Sequence, residues 1–591
     1  MKLLKTIFSD EQEFLEAIGF ASSQPLVVVD TEYQKREQWG AARIIGVSWG
    51  YPLGSEFHSF YAPFRHGEFP TTKNLNPSLI EEFNRFTGTQ IYHNYIADYT
   101  AFLHDGVDIS TRYIFDTMVA SHLINENEMS FSLDSLSLKY FKARKLSLRA
   151  LEKEIGWDSI HPLLMGDYAC TDVILTYRQY IRCKAALQHQ NLENLYDDYE
   201  KFIKSLAKIV HRGLHIDINL AMELKEEGER ELNQLEQKLG FKPSSQQKVA
   251  HYLHDTMQVP VRYLTKGKAP STSNLHLRRY SDLHPEVKPF VSDVLQYRTT
   301  YKAVTTWYQG FLDKRGTDGL LHPGLTVVGG GDDDSGGTVT GRLSCRQPNL
   351  QQIPRKGRAR ELFIDPPDHR LIEFDLSQAE LRTIGYYLEL LGDSTVADAY
   401  RKELDIHSIS AEKMSLMETL PYKDARQVGK TCNFSLCYRA GPKQLQTILY
   451  RDGGLDVELS TASSWHQAWH SSYPGVRELN EKAEKQAINK GYVKMWNGRR
   501  RHLEGHDCYK AFNSIIQGGI GQVLLYIIND LVDKFPKLQL VNSVHDSVWV
   551  YIPITELDNI IPNVIQCMER IPTEQFGIPY TVDWKFYNEV H

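Results

Sequence analysis

Paired acidic side chains near the amino terminus are the first residues of this chain whose types and spacing could do chemistry. In "PLVVVDTEY", residues 25 to 33, the alternation of a strand places Asp30 and Glu32 on the same face. Two neighbouring carboxylates repel each other unless a cation lies between them. The pattern therefore indicates a candidate cation site at the end of an apolar strand.

Further acidic residues follow in helix-like contexts. Asp98 ends "HNYIAD", Asp116 lies in "FDTMVA", and Asp172 ends "YACTD", with Tyr168 four residues earlier on the same helical face. Each acid alone is more typical of a surface residue or a helix cap. Together they could hold two divalent ions that activate a water and stabilise the leaving oxygen of a phosphodiester.

Two aspartates stand at apolar strands in the second half of the chain. Asp375 ends the run "LIEFD", and Asp546 follows His545 within "LVNSVHDSVWVYIP". A carboxylate that emerges from a buried strand is costly unless it is paired or bound to a metal. The second run is typical of a β-hairpin whose tight turn carries His545 and Asp546.

A charged helix is predicted over "ARQVGKTCNFSLCY", residues 425 to 438. Arg426, Lys430 and Phe434 recur every four residues, and each step drifts about 40°, so the three share one face. The two cations could bind a triphosphate, and the aromatic ring could meet a base or sugar. An amphipathic helix with a solvated basic edge is the alternative.

Length and composition limit the class of protein. The 591 residues predict about three to five compact units. No run of about 18 apolar residues is present, so we expect no transmembrane helix and no membrane partner, and the start does not resemble a signal peptide. Seven scattered cysteines without C-x-x-C spacing argue against a disulfide framework or a zinc module. We expect a cytoplasmic protein with reduced thiols.

Charge is distributed unevenly along the chain. The net charge of -7 counts against a nucleic-acid partner, and residues 1 to 190 carry 18 basic against 23 acidic residues. Residues 341 to 360, however, carry six basic residues and no acid, and residues 421 to 520, which include "NGRRRHL", carry 15 basic against nine acidic. Such stretches favour a local groove for a polyanion, with ordinary solvated surface as the alternative.

Hydrophobic periodicity predicts the elements that position these residues. The first 185 residues alternate strand-like and helical patterns and predict an α/β or α+β unit. Its strand-like runs cover 25–33 and 42–51, and its helical ones cover 78–86, 95–104 and 114–124. Beyond them come charged helices from about 187 to 240, a glycine- and aspartate-rich loop at 329–337, a strand at 370–377, mostly helices to about 530, and three final strands.

The acidic motifs resemble, in their order, those of the DEDD-type 3′-to-5′ exonucleases with an RNase H-like fold, in the branch that contains a tyrosine. The matching motifs are "DTE", "NYIAD" and "YACTD", within about residues 1 to 185. The resemblance implies that Tyr168 orients the attacking water and that the metal ligands are Asp30, Glu32, Asp98 and Asp172. Because no member of this set is missing, the resemblance implies active proofreading.

The rest of the chain, about residues 195 to 591, resembles the DNA polymerases of family A. The motifs that carry this resemblance appear in the family's order: "TGRLSCRQPNLQQIP" (340–354), "DLSQAELR" (375–382), "DIH" (405–407), "RQVGKTCNFSLCY" (426–438), "YPGV" (473–476), "GYVKMWNGRRR" (491–501), "AFNSIIQG" (511–518) and "VHDS" (544–547). The ordered set is far more specific than any single motif. It implies a DNA-directed DNA polymerase with proofreading, in replication or repair.

The resemblance also implies the roles of individual residues. Asp375, Asp546 and the carbonyl of Leu376 would hold two Mg²⁺ ions, with Mn²⁺ as an alternative. Residues implied to bind the incoming deoxynucleoside triphosphate are His407, Gln378, Glu380, Arg426, Lys430, Phe434 and Tyr438. Residues implied to contact the primer-template DNA are Arg342, Asn349, Gln351, Asn513, Gln517 and His545.

Four of these nucleotide-binding residues have implied functions of their own. Lys430 would donate a proton to pyrophosphate, Glu380 would exclude a ribose 2′-hydroxyl, and Tyr438 would close the base-pair pocket. Phe434 resembles the family versions that discriminate against sugars without a 3′-hydroxyl.

The implied fold is a multidomain α/β and α+β chain, in which an RNase H-like exonuclease domain precedes a right-hand polymerase domain. We expect the exonuclease over 1–185, the thumb and linker helices over 186–325, the palm over 326–384 and 513–591, and the fingers over 385–512. A start directly at the exonuclease favours a phage-type or plasmid-type replicase without a 5′ nuclease. The sequence shows no thioredoxin-binding insertion and no docking site for a helicase, a primase or a processivity factor.

Four features depart from the family pattern. Arg439 follows Tyr438 where glycine is usual, Tyr509 and Lys510 stand where an arginine is expected, and Ser547 replaces a glutamate. The loop 329–337 is more acidic than expected beside DNA. We hypothesise that the carboxylate missing at position 547 is dispensable or replaced by water.

Two other classes of function remain as alternatives to a proofreading polymerase. One is a nuclease whose C-terminal part only holds DNA, and the other is a non-catalytic DNA-binding scaffold. The intact acids and cations of the polymerase motifs count against the first, and the intact exonuclease acids count against the second.

Overall fold

The computed structural model describes residues 2–33, 39–70, 72–110, 112–328, 338–354 and 357–587. The glycine- and aspartate-rich segment 329–337, predicted as a loop, lies outside the described residues.

The first unit is a twisted six-stranded sheet with helices packed around it. Its strand order is β1-β4-β3-β2-β5-β6, with β2, β3 and β4 antiparallel and the pairs β1–β4, β2–β5 and β5–β6 parallel. Its elements are β1 (Lys2–Ile7), α1 (Glu11–Ser22), β2 (Leu26–Tyr33), β3 (Ile44–Leu53), β4 (Glu56–Pro63), β5 (Thr89–Tyr92), α2 (Tyr95–His104), β6 (Ile114–Asp116), α3 (Thr117–Ile124), α4 (Leu133–Phe141), α5 (Arg149–Ile155) and α6 (Pro162–Gln190).

The strands predicted at 25–33 and 42–51 and the helix at 95–104 are confirmed. The helix predicted at 114–124 is wrong in its first turn, because Ile114–Asp116 pairs with β5 as a strand. Pro77–Arg85 forms a 3₁₀-helix rather than an α-helix. The apolar spacing indicated a buried face correctly but could not distinguish these local backbone forms.

The part of the chain that follows the first unit is mostly helical. They are α7 (Glu193–Arg212), α8 (Ile218–Leu239), α9 (Gln246–His251), α10 (Asn274–Leu283), α11 (Lys288–Lys302) and α12 (Gln309–Lys314), with π-helical turns at Tyr252–Thr256 and Ala303–Tyr308. Helix α7 packs against α2 on one side and against the later helix α20 (Ala511–Lys534) on the other. The tip around α9, α10 and α11 buries a small apolar core of its own, which includes Leu253, Leu277 and Val291.

The third part is built on a four-stranded antiparallel sheet in the order β12-β13-β9-β14. Its strands, and those of two separate two-stranded antiparallel sheets, are β7 (Gly324–Thr326), β8 (Ser344–Arg346), β9 (His369–Leu376), β10 (Tyr492–Lys494), β11 (Arg500–His502), β12 (Gln539–Val544), β13 (Ser547–Pro553) and β14 (Val582–Phe586). Its other helices are α13 (Ala379–Glu389), α14 (Thr395–Arg401), α15 (Ile406–Lys413), α16 (Tyr422–Leu436), α17 (Pro442–Gly453), α18 (Leu459–Ser472), α19 (Pro474–Lys490) and α21 (Leu557–Phe576). The predicted strand at 370–377, the three closing strands and the charged helix near 425–438 are confirmed.

One helical segment of the described chain, Gly505–Lys534, is long and apolar enough to cross a membrane, and 72% of its apolar window is buried inside the protein. Within it, α20 packs against α7, α13 and α21. Core packing therefore accounts for its apolar composition.

The basic run "NGRRRHL" faces the first unit rather than an open groove. Arg499 is 1% exposed and contacts the Tyr199 hydroxyl. Arg501 pairs at 2.8 Å with Glu126, whose side chain is 1% exposed. The hypothesis that this run binds a polyanion is wrong for both arginines, because Arg499 is buried and Arg501 is paired with a buried carboxylate of the first unit.

Two candidate active sites

The first candidate site lies at the end of β2. Asp30 and Glu32 come from that strand, and Asp172 comes from α6, which packs across β2, β3 and β4. One carboxylate oxygen from each of the three lies within 4.8 Å of the others. The structure thus brings together three of the four acids that the sequence predicted as metal ligands.

Asp98, the fourth acid, lies beside this group on α2. Its Oδ1 accepts hydrogen bonds from the backbone N–H of Thr31 at 3.0 Å and from the Thr31 hydroxyl at 2.7 Å. Because Thr31 stands between Asp30 and Glu32, these bonds fix the strand that carries both. Its charge also contributes to the raised pKa of Asp30.

Burial raises the pKa of every acid in this site, and repulsion from other members of the site adds to the effect at Asp30 and Glu32. The pKa of Asp30 lies well above its usual value, because burial and the charges of its acidic neighbours disfavour the ionised form. Burial is also the main cause that raises the pKa of Glu32 to about 8, of Asp98 to about 7 and of Asp172 to about 6. Carboxylates crowded in this way form a site whose ionised state requires cations.

A divalent cation fits the donor set. All of the acids offer oxygen ligands, which Mg²⁺ and Mn²⁺ prefer. The Oδ1 atom of Asp172 is buried and has no hydrogen-bond partner among the described residues. A buried carboxylate oxygen without a partner is costly, and a metal ion would satisfy it.

Two neighbours of these acids were not found from the sequence. Trp157 donates from Nε1 to Glu32 Oε2 at 3.2 Å. Lys145 donates from Nζ to Tyr168 at 2.9 Å and to Asp172 at 2.8 Å. No periodic pattern connects either residue with the acids, since both lie in irregular segments next to α5.

Asp116, considered in the sequence as a further acid, is a structural residue. Its carboxylate caps α3 by accepting hydrogen bonds from the N–H groups of Met118 at 2.9 Å and Val119 at 3.1 Å, and it accepts a third from Tyr95 at 2.8 Å. The helix-cap alternative is therefore correct for this residue.

Without divalent ions, the region around β2 is expected to become less stable as the pH rises from about 5 to about 8.5. The pKa of Glu32 in the folded chain, about 8, exceeds its usual value, so the folded state keeps a proton that the unfolded state has lost. The free energy of unfolding that this proton contributes is fully present below the usual pKa of glutamate. It falls as the pH rises towards the pKa of Glu32 in the folded chain, by up to about 1.4 kcal/mol per pH unit for each such proton.

Hydrogen–deuterium exchange of the β2 amides in EDTA, corrected for intrinsic rates, would measure this loss. Glu32→Gln should flatten the pH dependence, and added Mg²⁺ should protect β2 most at high pH. Exchange that does not change with pH in the wild type would contradict the raised pKa.

The second candidate site lies where β9 ends beside the β12–β13 hairpin. Asp375 is opposite Ser547 in the strand pairing, and the N–H of Leu376 donates to the backbone carbonyl of Asp546 at 3.3 Å. The hairpin closes through a two-residue turn of His545 and Asp546, with His545 at φ 54°. The predicted turn is confirmed, and it holds Asp546 next to Asp375 although the two are far apart in sequence.

Asp546 has the properties of a cation ligand. Burial raises its pKa to about 6, and Glu380 and Asp375 add to this effect while Arg342, at 3.7 Å, opposes it. Its Oδ1 atom is buried and accepts no hydrogen bond from the described residues. As at Asp172, an oxygen-binding metal ion would satisfy this atom.

A hydrogen-bonded group lies beside Asp546, with Arg342 3.7 Å from that carboxylate. Glu380, at the start of α13, accepts from Arg342 Nη2 at 2.7 Å and from the Tyr438 hydroxyl at 2.7 Å. Gln378 accepts from the Tyr400 hydroxyl at 3.1 Å. Three residues that the sequence assigned to nucleotide or DNA binding, Arg342, Glu380 and Tyr438, are therefore joined by hydrogen bonds although they belong to three separate motifs.

The charged face of α16 is oriented by α15. Arg426 makes a two-pronged ion pair with Asp405, with contacts of 2.7 and 3.2 Å, and this pair contributes to lowering the pKa of Asp405 to about 2. Lys430, one turn further, is exposed, and no carboxylate of the described chain lies within 4.0 Å of its ammonium. The arginine is thus held in place, while the lysine is free to meet an anionic ligand.

His407 does not present a charged ring. It is 2% exposed, its Nδ1 lies 3.1 Å from Asn433 Nδ2, and its ring centroid lies 5.7 Å from that of Phe434. Burial, with the charges of Arg426 and Lys430, lowers its pKa to about 4. At neutral pH His407 can offer a phosphate only a neutral hydrogen bond.

Comparison with known families decides the membership of this chain. Residues 217–590 match the model of DNA polymerase family A, and residues 6–187 match a 3′-5′ exonuclease family. This chain belongs to DNA polymerase family A. The fold prediction, an exonuclease domain followed by a polymerase domain, is confirmed.

Relatives of this family A chain come from bacteria and from a phage. It is 27% identical over 508 residues to DNA polymerase I of Lactococcus lactis subsp. cremoris, covering 79% of this chain and 54% of that protein. It is 25% identical over 498 residues to the DNA polymerase DpoZ of Vibrio phage phiVC8, covering 74% and 77%. The chain thus spans about half the length of the bacterial relative.

A solved structure shares the fold. The polymerase domain of Pol1 from M. smegmatis, in a complex with DNA primer-template and dNTP, aligns with a TM-score of 0.81 at 17% identity and covers 99% of this chain and 100% of that one.

Two of the predicted DNA contacts of this family A chain lie near the hairpin that carries Asp546: Arg342 is 3.7 Å from Asp546, and Gln351 donates to the Ser543 carbonyl at 3.4 Å. Asn349 accepts from the N–H of Gln351 at 3.2 Å, and Gln351 donates to the Leu343 carbonyl at 3.0 Å. Asn513 and Gln517 are both partly exposed on α20. The Asn513 Oδ1 atom is buried without a partner among the described residues.

The departures from the family pattern have local structural explanations. Arg439 adopts φ 63°, the left-handed conformation that glycine favours, and pairs with Glu484 at 2.7 Å. Ser547 is 2% exposed and donates to the Val544 carbonyl at 2.9 Å, so it closes the hairpin turn. Tyr509 is 42% exposed, and Lys510 pairs with Asp507 at 2.7 Å.

Proposed function

We propose that this protein is a DNA-directed DNA polymerase that extends a primer 3′-hydroxyl with deoxynucleoside triphosphates and removes mispaired nucleotides by 3′-5′ exonuclease activity. The observation that carries the proposal is the presence of two separate carboxylate sites in one chain. Asp375 lies in β9 and Asp546 in the turn of the adjacent β12–β13 hairpin, and Asp30, Glu32 and Asp172 lie together in the first unit.

Each site would hold divalent metal ions, Mg²⁺ or alternatively Mn²⁺, two per site. Asp375, Asp546 and the Leu376 carbonyl would hold them in the polymerase site, and Asp30, Glu32, Asp98 and Asp172 in the exonuclease site. When bound, they would supply Lewis acidity that activates the attacking oxygen and stabilises the leaving oxygen.

The residues of α16 and its neighbours would bind the incoming nucleotide. Lys430 and Arg426 would contact the triphosphate, with Lys430 giving a proton to the departing pyrophosphate and His407 donating a neutral hydrogen bond. Phe434 would lie against the sugar and discriminate against one that lacks the 3′-hydroxyl. Because Asp405 already holds Arg426, that arginine is oriented before the nucleotide arrives.

Primer-template DNA would lie across the palm between the thumb and the fingers. Its predicted contacts are Arg342, Asn349, Gln351, Asn513, Gln517 and His545, directed at the backbone and at minor-groove acceptors that every base pair shares. We propose the exonuclease domain over 1–185, the thumb over 186–325, the palm over 326–384 and 513–591, and the fingers over 385–512.

Glu380 would act as a steric gate beneath the sugar. Its carboxylate is fixed by Tyr438 and Arg342, so it can fill the space that a ribose 2′-hydroxyl would need. Glu380→Ala is expected to raise the incorporation of ribonucleotides relative to deoxynucleotides by roughly 10- to 200-fold, the range expected for a pocket that loses contact with one small group. Single-nucleotide insertion kinetics with matched rNTP and dNTP measure the ratio.

Glu380→Gln is the matched control for this prediction. The amide keeps the size of the side chain and can still accept from Tyr438, so discrimination should be retained. If Glu380→Gln relaxed the selection as much as Glu380→Ala, negative charge rather than bulk would exclude the ribose.

Extension of a primer with a mismatched 3′ end tests the whole proposal. With deoxynucleotides present, we expect excision of the mismatch followed by extension, and without them, progressive shortening. Degradation that no supply of nucleotides reverses would favour a nuclease that merely holds DNA, and binding without any reaction would favour a scaffold. We propose that the enzyme acts in the cytoplasm of a bacterium or a phage-infected host, in replication or in repair.

A further inference from the structure

Lys145 is the basic residue that contacts the exonuclease carboxylates. It lies between α4 and α5, and its side chain is 11% exposed. Its ammonium lies 2.8 Å from Asp172 Oδ2, 2.9 Å from the Tyr168 hydroxyl and 3.2 Å from Asp134 Oδ1. Within the described part of the chain, no other lysine or arginine nitrogen lies within 4.0 Å of the four predicted metal ligands.

An ammonium group can only donate hydrogen bonds, so the donor in each of these contacts is Lys145. Lysine has three N–H donors and no acceptor. The bond between Lys145 and Tyr168 is therefore donated to the phenol oxygen, and the phenol O–H must donate to another group. The ring of Tyr168 is also packed edge-on against Trp157 at 5.9 Å, which helps to hold the ring in place.

The two carboxylate oxygens of Asp172 differ in their partners. Oδ2 is occupied by Lys145, whereas Oδ1 is buried and has no partner among the described residues. The pairing thus fixes the carboxylate while leaving one oxygen available to a cation held with Asp30 and Glu32.

We propose that Lys145 is a positioning residue of the exonuclease site, which orients Tyr168 as a hydrogen-bond donor towards the attacking water and directs Asp172 Oδ1 to the metal. This proposal rests on the proposed proofreading function. It assigns a role to a residue outside the three acidic motifs.

Lys145→Met tests the role because methionine keeps most of the apolar stem and removes all three donors. The turnover number for excision of single-stranded DNA is expected to fall about 10- to 100-fold, the usual loss when a residue that orients metal ligands is removed, while KM for the DNA changes less than about 3-fold. Lys145→Arg should recover part of the rate, because a guanidinium can donate to both oxygens. Lys153→Met, an exposed lysine of α5, is the control and should excise like the wild type.

A double-mutant cycle shows whether Lys145 acts through Tyr168. If it does, Lys145→Met should cost less in a Tyr168→Phe background than in the wild type, because the hydroxyl that it orients is already absent. A wild-type excision rate in Lys145→Met, or an undiminished loss in the Tyr168→Phe background, would overturn the role through Tyr168.

Crystal structures of the wild type and Lys145→Met distinguish a failure of this proposal from a failure of the proposed proofreading function. We expect the variant to show altered rotamers of Tyr168 and Asp172, and unchanged rotamers would overturn the proposal even if neither protein cleaves DNA. Absence of excision by the wild type would instead contradict the proposed function.

Discussion

Asp546→Asn is expected to abolish primer extension while leaving the removal of a mismatched 3′ nucleotide intact. The carboxamide has nearly the same size, so the turn between β12 and β13 should persist. It removes one negative charge and one ligand oxygen next to Asp375. We expect single-turnover extension to fall by about 10³-fold, the scale of loss for a group that stabilises charge in the transition state.

Asp558→Asn is the control for this variant, because Asp558 is exposed in the first turn of α21. It should extend primers at the wild-type rate. Loss of excision as well as extension in a folded Asp546→Asn protein would mean that the two sites are not independent, and extension within about 10-fold of wild type would show that Asp546 is not an essential metal ligand.

Asp30→Asn is expected to have the opposite effect, with excision lost by about 10³-fold and extension retained. Asp30 is crowded by Asp98, Glu32 and Asp172, whose charges contribute to its raised pKa. A neutral amide removes part of this repulsion. The metal-free variant should therefore be at least as stable as the wild type at pH 8, so unfolding cannot explain its lost activity.

Removal of a single-stranded 3′ nucleotide and extension of a matched primer, measured on the same preparation, test this prediction. Asp167→Asn is the matched control, since Asp167 lies on α6, the helix that carries Asp172, but is exposed and pairs with Lys5 at 2.7 Å. If Asp30→Asn still excised mismatches, the assignment of the first site would be wrong. If it also stopped extension, the exonuclease unit would be required for synthesis.

The ion pairs between the exonuclease and polymerase units illustrate what local patterns miss. Glu126 holds both Arg501 and His502, at 2.8 and 3.0 Å, although these residues read as part of a basic surface in the sequence. Charge counting treats each arginine as exposed, because it includes no information about which surface another unit will cover. This limit led to the wrong interpretation of "NGRRRHL".

The sequence by itself determined the family, the order of the two domains and the elements that carry the acids. Strand alternation put Asp30 and Glu32 on one face, and the apolar runs predicted the hairpin that holds Asp546, because backbone geometry fixes which neighbours share a face. Only the tertiary structure decided that Lys145 contacts Tyr168 and Asp172, that Glu380 links Tyr438 with Arg342, and that His407 is buried and neutral. Such contacts join elements far apart in the chain, and their distances follow from packing in three dimensions rather than from any spacing along the sequence.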